Sequence, residues 1–494
     1  MTHSSTCDAT SGLLGIDLGT ASVKVVVLDH DGALLAQSSA DYPVHHPHAG
    51  WSESDPQDWL RASATAVREA LATAHVRPTA IGLSGQMHGV VVTDEQGQPV
   101  RAAILWSDSR AVAEADEYRA LASSTLARLA NPIVPGMAGP ILAWLARNEP
   151  ASMRAARWAM QPKDWLRYHI TGEMHAEPSD ASATLLYDLA ADGWDTGTLD
   201  SLGIDTELLP PLLPSASAPA GRVTAEAADL FNLPQGTPVA AGGADTAVAA
   251  IGTGLVVPGT TQLTIGTGIQ IVTPIDDLPA LLPAHPVPHT YRSARPHGWY
   301  AMAAVLNGGS TLAWVRQILG MTWAELYATA LLSPQKDDPL FVPHLHGERT
   351  PWLDPNMRGA WTDLDPRHDR AALARSALEG VAIAIKNAYA HLPATDSSSS
   401  VLLAGGGTAA PGWRQMLADA LGRPLDGVHV NAASGMGAAL LGGISVGLLP
   451  DVQRGDRGER VATPSEPGTA RFADRMSLYL RRLPSLRTRP PEPS

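Results

Sequence analysis

The chain has 494 residues, of which 45% are hydrophobic and 17% are charged, which is typical of a globular protein with more than one domain. The formal net charge of −14 at pH 7 and the lack of a basic run argue against nucleic acid as a partner. The single cysteine, Cys7, excludes a disulfide framework, and no run approaches the roughly 20 apolar residues that span a bilayer, so we expect a cytoplasmic protein without a membrane partner.

The first patterned stretch follows a polar leader, residues 1–12, which we expect to be disordered. Residues 13–18 predict a strand, Gly19 and Thr20 a tight turn, and a second strand follows. Backbone NH groups and the hydroxyl of such a turn suit phosphate oxygens, and the carboxylate of Asp17 suits a metal ion. The pattern of Asp17, Gly19 and Thr20 is weak by itself, and an ordinary hairpin with a polar turn fits the same residues.

Two further predicted strands end in polar or aromatic residues. The strand over 81–84 leads to Gln86, Met87 and His88, and the strand near 104–105 leads to Trp106. Ligands of α/β proteins gather at strand ends, so these residues are candidates for a binding site.

The middle of the chain contains a strand, a glycine turn and a helix, with Asp245 at the turn. Gly242 and Gly243 permit a tight connection that other residues would strain. A lone carboxylate at the mouth of a sheet suits a general base that removes a proton from a hydroxyl. The alternative is that Asp245 caps the following helix, as aspartate often does.

The second half repeats the plan of the first. Residues 260–271 predict a strand, a turn with Gly266 and Thr267, and a strand, and a later strand over 401–404 ends in Gly405, Gly406 and Gly407. The small-residue-rich stretch 432–449 suits a helix that packs closely on a sheet. This faint duplication predicts an α/β fold in which two similar domains face one cleft.

In their order along the chain, these motifs resemble the FGGY carbohydrate kinases, and among them the xylulokinases. The resemblance covers roughly residues 13–449 and rests on short segments that appear in one collinear order: 15–20, 50–53, 85–89, 104–108, 162–164, 179–180, 242–245, 347–351, 405–407 and 413–419.

The resemblance implies a duplicated actin-like (ribonuclease-H-like) fold that binds a sugar and ATP with Mg²⁺ between its two domains. It implies ATP-dependent phosphorylation of a ketopentose, with D-xylulose to D-xylulose 5-phosphate as the first expectation. The family is often dimeric, so a homodimer is one expected oligomeric state.

By the same resemblance, Asp245 is the general base and a substrate contact. Gln86, Met87 and His88 occupy the sugar motif, and Trp106 lies beside it, where it could stack on a sugar face. The remaining implied sites hold ATP and metal: Asp17, Gly19, Thr20, Gly266 and Thr267 for phosphates, Gly405, Gly406 and Gly407 for adenosine, and Asp17 with Asp245 for magnesium.

The expected domains follow from these positions. Residues 13–247 would form an N-terminal domain with the sugar site, first phosphate turn and catalytic Asp, and 248–450 a C-terminal domain with the second turn and the adenosine site. Residues 451–494 would form a terminal helix and a Pro-rich tail.

Three departures from the family pattern leave alternatives open. Thr246 replaces the usual Asn after the catalytic Asp, which puts the identity of the sugar in doubt. Residues 266–269 and 408–410 also differ from the usual phosphate turn and adenosine segment, which bears on ATP affinity. A kinase of ribulose, a ketoheptose or a polyol therefore stays open, as does a non-catalytic actin-like sugar sensor.

Overall fold

The structure is a computed structural model, and it describes residues 10–335, 337–396, 399–428, 430–450 and 458–486. Most of the expected leader and the Pro-rich end lie outside these ranges. The first strand begins at Thr10, within the stretch 1–12 that was expected to be disordered. Residues 10–12 are ordered there because they pair in parallel with Val76, Arg77 and Pro78.

The first half of the chain alternates strands and helices. Its strands are β1 (Thr10–Leu18), β2 (Ser22–Leu28), β3 (Leu34–Asp41), β4 (Glu53–Ser54), β5 (Val76–Gly85), β6 (Val91–Thr93), β7 (Ala103–Ile104), β8 (Trp158–Met160), β9 (Tyr187–Asp188), β10 (Gly193–Trp194), β11 (Pro219–Arg222), β12 (Pro238–Ala240) and β13 (Gly243–Ala244). Its helices are α1 (Pro56–Ala74), α2 (Val112–Arg119), α3 (Ser123–Leu129), α4 (Ala138–Asn148), α5 (Pro150–Ala155), α6 (Pro162–Thr171), α7 (Pro178–Ala181), α8 (Thr196–Leu202), α9 (Ala225–Phe231) and α10 (Asp245–Gly252).

The second half has longer helices. Its strands are β14 (Thr261–Ile265), β15 (Ile269–Ile275), β16 (His289–Arg292), β17 (Trp299–Val305), β18 (Leu340–Val342), β19 (Ala360–Thr362), β20 (Val401–Ala404), β21 (Leu425–Gly427) and β22 (Arg460–Ala462). Its helices are α11 (Gly309–Ile318), α12 (Trp323–Ala328), α13 (Arg370–Tyr389), α14 (Pro411–Leu421), α15 (Ala433–Ser445) and α16 (Glu466–Arg482).

Two long helices begin at aspartates that cap them. In α1 the side chain of Asp55 accepts a hydrogen bond from Gln57 N, and Pro56 takes the first helical position, where its missing NH costs nothing. In α13 the side chain of Asp369 accepts from Ala372 N in the same way.

Two large sheets share one strand plan. In the first, the order is β11-β12-β5-β1-β2-β3, with β13 beside β5, and in the second it is β16-β17-β15-β14-β20-β21-β22. Antiparallel strands, two in the first sheet and three in the second, precede the parallel pairs β1 with β5 and β14 with β20, and an antiparallel strand closes the far edge of each sheet. The duplication predicted from the repeated strand–turn–strand pattern is therefore confirmed.

Helix α15 departs from the expected domain division. It falls within the range 248–450 assigned to the C-terminal domain, but it packs against β1, β5 and α10 in the first half of the molecule. Backbones approach very closely there: a Cβ at Gly82 would lie 1.8 Å from Ala438 O, and one at Gly437 would lie 2.0 Å from Val248 O. Only small residues allow this approach, so the composition of the helix reflects its packing, as predicted.

The C-terminal segment is part of the second half rather than an appended tail. β22 pairs with β21 at the edge of the second sheet, and α16 packs on α13 and α14. α16 begins at Glu466, where Ser465 caps it by accepting from Gly468 N. Its buried residues Phe472 and Tyr479 belong to the core of the second half. Among the described residues, no helix combines the length and the apolar character needed to cross a membrane.

Candidate active site

The turn that carries Asp245 is fixed by its backbone. Gly242 has a φ of 75°, and a Cβ there would lie 2.3 Å from Leu83 O, so the position requires glycine. β13 then pairs in parallel with the end of β5. Ala244 is the N-cap of α10 and makes no side-chain capping bond, and Asp245 is the first helical residue. Asp245 is therefore not the helix cap that the alternative interpretation of the sequence proposed.

Asp245 and Asp17 face the same cavity, which has a volume of about 780 Å³. Asp17 stands at the end of β1, opposite Lys24 on β2 and Ser84 on β5. Lys24 also lines the cavity. Asp17 Oδ1 is buried and has no hydrogen-bond partner among the described residues. The structure thus brings together the two carboxylates that the sequence singled out.

The environment raises the pKa of both carboxyl groups. Burial, reinforced by the negative charge of Asp17, raises the pKa of Asp245 from 3.8 to about 6. Burial also raises the pKa of Asp17, and the Ser84 hydroxyl and the Lys24 ammonium act in the opposite direction. The hydroxyl of Thr246 donates to Asp245 Oδ1 over 3.1 Å and lowers the pKa of Asp245 somewhat.

The two glycine–threonine turns are built from backbone hydrogen bonds. In the first, Gly19 N donates to Ser22 O over 3.0 Å. The oxygen of Gly19 accepts from Gln86 Nε2 over 3.1 Å and from the hydroxyl of Tyr42. In the second, Gly266 N donates to Gly268 O over 2.9 Å, and Gly266 O accepts from Gly309 N at the start of α11.

A second cavity, of about 960 Å³, lies beside the second turn. Its lining includes Gly266 and Thr267, the rings of Trp323 and Tyr327, and Gly406 with Gly407. The two rings are stacked, with centroids 5.6 Å apart and planes inclined by 18°. Gly405 and Gly406 also line the first cavity, so Gly406 belongs to both cavities.

The triple glycine permits close backbone contact at this junction. Gly405 has a φ of 95°, and a Cβ there would lie 2.4 Å from Ile265 O at the end of β14. The strand β20 therefore ends against β14, and the loop is left open toward both cavities.

The three residues of the expected sugar motif and the neighbouring Trp106 are not among the residues that line the first cavity. Gln86 and Met87 are buried, and Gln86 holds the first turn through its side-chain amide. Trp106 is 37% exposed, and its Nε1 donates to Thr20 Oγ1 over 2.9 Å. His88 adopts a φ of 70°, which is rare for histidine and indicates a backbone that its surroundings constrain.

The imidazole of His88 is neutral near pH 7. Burial and the positive charge of Arg349 lower its pKa, to about 4, although the hydrogen bond to Ala183 O acts against them. The Nδ1–Ala183 O distance is 2.8 Å, so Nδ1 carries the proton and Nε2 keeps its lone pair. Nε2 can therefore accept a hydrogen bond from a hydroxyl.

A fully buried ionic cluster lies beneath the Asp245 turn, and the sequence did not reveal its purpose. Lys163 Nζ lies 2.7 Å from Asp164, 3.2 Å from Glu177 and 3.1 Å from Asp180, and Arg167 lies 2.7 Å from Asp164. Burial raises the pKa of Asp180 to about 8, against the opposing charge of Lys163. The signal in the sequence was the presence of charged residues in apolar surroundings at 161–165 and 179–182.

Ser179 connects this cluster to the turn. Its hydroxyl donates to Glu177 Oε1 over 2.9 Å and accepts from Ala244 N over 3.0 Å. Because Ala244 immediately precedes Asp245, the cluster fixes the backbone from which the carboxylate projects.

Comparison with known proteins gives the same picture for most of the chain. Residues 13–252 match the model of the N-terminal domain of the FGGY family of carbohydrate kinases, and residues 261–446 match that of the C-terminal domain. A xylulose kinase of Escherichia coli K12 is 35% identical over 419 residues, which are 84% of this chain and 85% of that protein. A glycerol kinase of Rhodospirillum centenum is 31% identical over 93% of this chain and 96% of its own length.

The solved structures include a similar fold over almost the whole chain. The crystal structure of xylulose kinase from Rhodospirillum rubrum superposes with a TM-score of 0.87 at 28% identity, covering 97% of this chain and 100% of that one. The two-domain α/β architecture expected from the motifs is therefore confirmed.

Proposed function

Since the chain belongs to the FGGY family of carbohydrate kinases, we propose that it phosphorylates D-xylulose to D-xylulose 5-phosphate, with ATP as the phosphate donor. The observation that carries this proposal is the pair of carboxylates, Asp17 and Asp245, in a cavity that shares Gly406 with an aromatic-walled cavity. A phosphate chain that crosses this junction would join a nucleoside on one side to a sugar hydroxyl on the other.

Asp245 acts as the general base in this proposal. Its pKa of about 6 leaves it ionised near pH 7, yet far more basic than an ordinary aspartate. A base of that strength accepts the sugar hydroxyl proton as the oxygen attacks the γ-phosphorus of ATP. The bond between that phosphorus and the bridging oxygen breaks, and ADP leaves with the electron pair.

Asp17 and Asp245 fit a magnesium site. The partnerless Oδ1 of Asp17 and the mutual repulsion of the two carboxylates are what a divalent cation would relieve, and carboxylate oxygens are the ligands that Mg²⁺ prefers. Among the described residues no cluster of three potential metal ligands occurs, so water and phosphate oxygens would complete the coordination. When bound, the ion would neutralise charge on the phosphate chain.

The remaining ATP contacts come from the two turns and the triple glycine. The NH groups of Thr20 and Thr267 would donate to phosphate oxygens, since those of Gly19 and Gly266 are bonded within the turns. The rings of Trp323 and Tyr327 form an apolar wall in the second cavity, and Gly405, Gly406 and Gly407 let the adenosine approach the backbone.

The sugar is proposed to lie between Asp245 and the motif that contains His88. The neutral Nε2 of His88 would accept a hydrogen bond from a hydroxyl, and Trp106 would offer its face to the carbon skeleton. Met87 is a core residue, so only a small part of its side chain would contact the sugar. Gln86 would act indirectly, by holding the first phosphate turn through its hydrogen bond to Gly19 O.

Thr246 supports a second candidate, a kinase of another ketose or a polyol. Its hydroxyl already bonds to the catalytic carboxylate, and a shorter side chain than Asn leaves more room in the cavity. The similar glycerol kinase is consistent with a polyol substrate but gives it less support than the xylulose kinases give the ketose. A homodimer stays a prediction, which sedimentation equilibrium of the purified protein tests.

The experiment is an assay of ADP release with ATP and magnesium across ketoses, aldoses and polyols. We expect turnover on D-xylulose to exceed that on the other compounds. Turnover mainly on another sugar would keep the mechanism and reject the proposed substrate, with Thr246→Asn as the first variant to examine. Absence of turnover on every compound would reject the proposal.

A further inference from the structure

One cation beside the sugar motif has no role in the proposed reaction. We propose that Arg349 is a specificity-determining residue that donates hydrogen bonds to the carbonyl oxygen of the ketose, so that the site selects an α-hydroxyketone over the corresponding polyol. This inference rests on the proposed function and adds the group that recognises the unreacting end of the substrate.

The loop around Arg349 is anchored through the residues on either side of it. The carboxylate of Glu348 accepts from Leu306 N over 2.8 Å and from Asn307 Nδ2 over 3.0 Å, and it lies 3.0 Å from His344 Nδ1. Thr350 Oγ1 accepts from Ala304 N over 3.1 Å on β17. The side chains of Glu348 and Thr350 are thus hydrogen-bonded within the protein, and these bonds fix the backbone position of Arg349 between them.

The guanidinium of Arg349 has no ion pair and no side-chain hydrogen bond among the described residues. The charge of Glu348 favours the charged guanidinium but does not outweigh burial, which lowers the pKa of Arg349, and that carboxylate is occupied by backbone and side-chain donors, including Arg349 N over 2.8 Å. Arg349 lies instead over the ring of Trp106, with its Cζ 5.9 Å from the ring centroid. A partly buried arginine with free donors next to a binding motif calls for an acceptor from outside the chain.

Apart from Glu348, the groups that surround Arg349 in the described part of the chain supply acceptors but no carboxylate. Tyr291 lies 6.2 Å from His88, measured between ring centroids, and its hydroxyl lies 2.7 Å from His289 Nδ1. His289 is 1% exposed, and its Nε2 has no partner among the described residues. The charge of Arg349 contributes to lowering the pKa of both His88 and His289, so both imidazoles are neutral beside it.

The arrangement places a strong donor next to an acceptor. Arginine only donates hydrogen bonds, and the Nε2 of His88 has a lone pair that only accepts. An α-hydroxyketone matches this pair, since its carbonyl oxygen only accepts and its adjacent hydroxyl can donate. A polyol replaces the carbonyl with a second hydroxyl, which is a weaker partner for a cation because the carbonyl carries the larger dipole.

The position of Arg349 also suits the unreacting end of the substrate. Tyr300 stands between Tyr291 and the base: its ring centroid lies 5.6 Å from that of Tyr291, and the charge of Asp245 contributes to raising the pKa of its hydroxyl. Arg349 affects Tyr291 but is not among the groups that affect Asp245. The carbonyl end and the phosphorylated hydroxyl would therefore occupy opposite ends of the site.

The test compares equilibrium binding of D-xylulose and xylitol, which share a carbon skeleton and differ at the carbonyl. In the full-length protein we expect D-xylulose to bind about tenfold to a hundredfold more tightly. Arg349→Met should weaken D-xylulose binding by a similar factor, change xylitol binding less than about threefold, and leave the Kd of ATP unchanged. Arg358→Met is the matched control: Arg358 is an exposed arginine farther along the chain whose side chain donates to the backbone oxygens of Pro355 and Met357, and its replacement should change the binding of neither compound.

Arg349→Lys keeps the charge without the planar fork, and we expect it to recover only part of the preference. Equal loss of both ligands in Arg349→Met, or an unchanged preference in a folded variant, would overturn the inference. So would a wild-type protein that binds the two ligands equally, even if it releases ADP with D-xylulose. Failure of the wild type to phosphorylate D-xylulose would instead count against the proposed function.

Discussion

Replacing Asp245 by Asn should inactivate the protein and at the same time stabilise it. The Asn side chain keeps the shape but cannot accept the hydroxyl proton, so turnover should fall by about 10²- to 10⁴-fold. The stabilisation follows from the pKa of Asp245, which burial and Asp17 raise from 3.8 to about 6. The ionised carboxylate is therefore less favourable in the folded protein than in the unfolded chain.

The sign and size of the stabilisation follow from proton linkage. Between pH 3.8 and about 6 the folded state binds more protons at Asp245 than the unfolded chain does, so the wild type loses stability as the pH rises through this window. The loss is complete above about pH 6 and amounts to at most about 3 kcal/mol, an upper limit because the side chain is partly open to the cavity. At pH 5, within the window, the same relation gives a loss of stability of about 1.5 kcal/mol.

The measurement is the free energy of unfolding of both proteins at pH 5 and pH 8, without ligands. We expect the free energy of unfolding of Asp245→Asn to exceed that of the wild type by about 1.5 kcal/mol more at pH 8 than at pH 5. Comparing the two pH values removes any effect of the amide on stability that does not depend on pH. An advantage that is equal at the two pH values, or larger at pH 5, would refute the pKa assignment. Near-normal turnover of the variant would refute the role of Asp245 as the base.

Three further variants test other parts of the site and fold. Ser179→Ala leaves Ala244 N without its acceptor, which should cost about 1–3 kcal/mol of stability and disturb the turn that carries Asp245. We therefore expect kcat to fall at least tenfold while the KM of ATP stays unchanged. Equal effects on both constants in steady-state kinetics would show that Ser179 does not anchor the turn. Gly82→Ala should destabilise the protein by about 3 kcal/mol or more, since its Cβ would lie 1.8 Å from a carbonyl oxygen of α15. Gly193→Ala is the control and should have little effect, because no atom lies within 4 Å of a Cβ at that position. Thermal unfolding of the two variants measures the difference. Trp323→Ala should raise the KM of ATP several-fold with little change in that of the sugar, and the opposite pattern in initial rates would place adenosine elsewhere.

The sequence by itself determined the local elements and their repetition. Apolar runs bounded by the Gly-Thr turns predicted β1, β2, β14 and β15, because strand tendency and turn chemistry depend on neighbouring residues. The glycines before Asp245 predicted a tight strand-to-helix turn for the same local reason, and the structure has one there. The order of short motifs was enough to indicate the family.

Pairings between distant segments were decided only by the tertiary structure. The small residues of α15 predicted close packing on a sheet, but they could not say that the sheet lies in the first half, since any smooth surface accepts small residues. The same holds for Phe472 and Tyr479 of α16: the sequence predicted a terminal helix, but not that this helix contributes to the core of the second half.

In the candidate active site, too, the sequence indicated some residues, but only the tertiary structure showed their surroundings. Asp17 and Asp245 were found from their turns, but their shared cavity and the raised pKa of Asp245 depend on burial and on a neighbour more than 200 residues away. Lys163 and Arg349 lie in segments that contributed to the family resemblance, but the sequence did not show which partners surround them: three carboxylates for Lys163, and for Arg349 a Glu348 that other donors already occupy. Electrostatic environment is a property of three-dimensional neighbours, and no spacing along the chain encodes it.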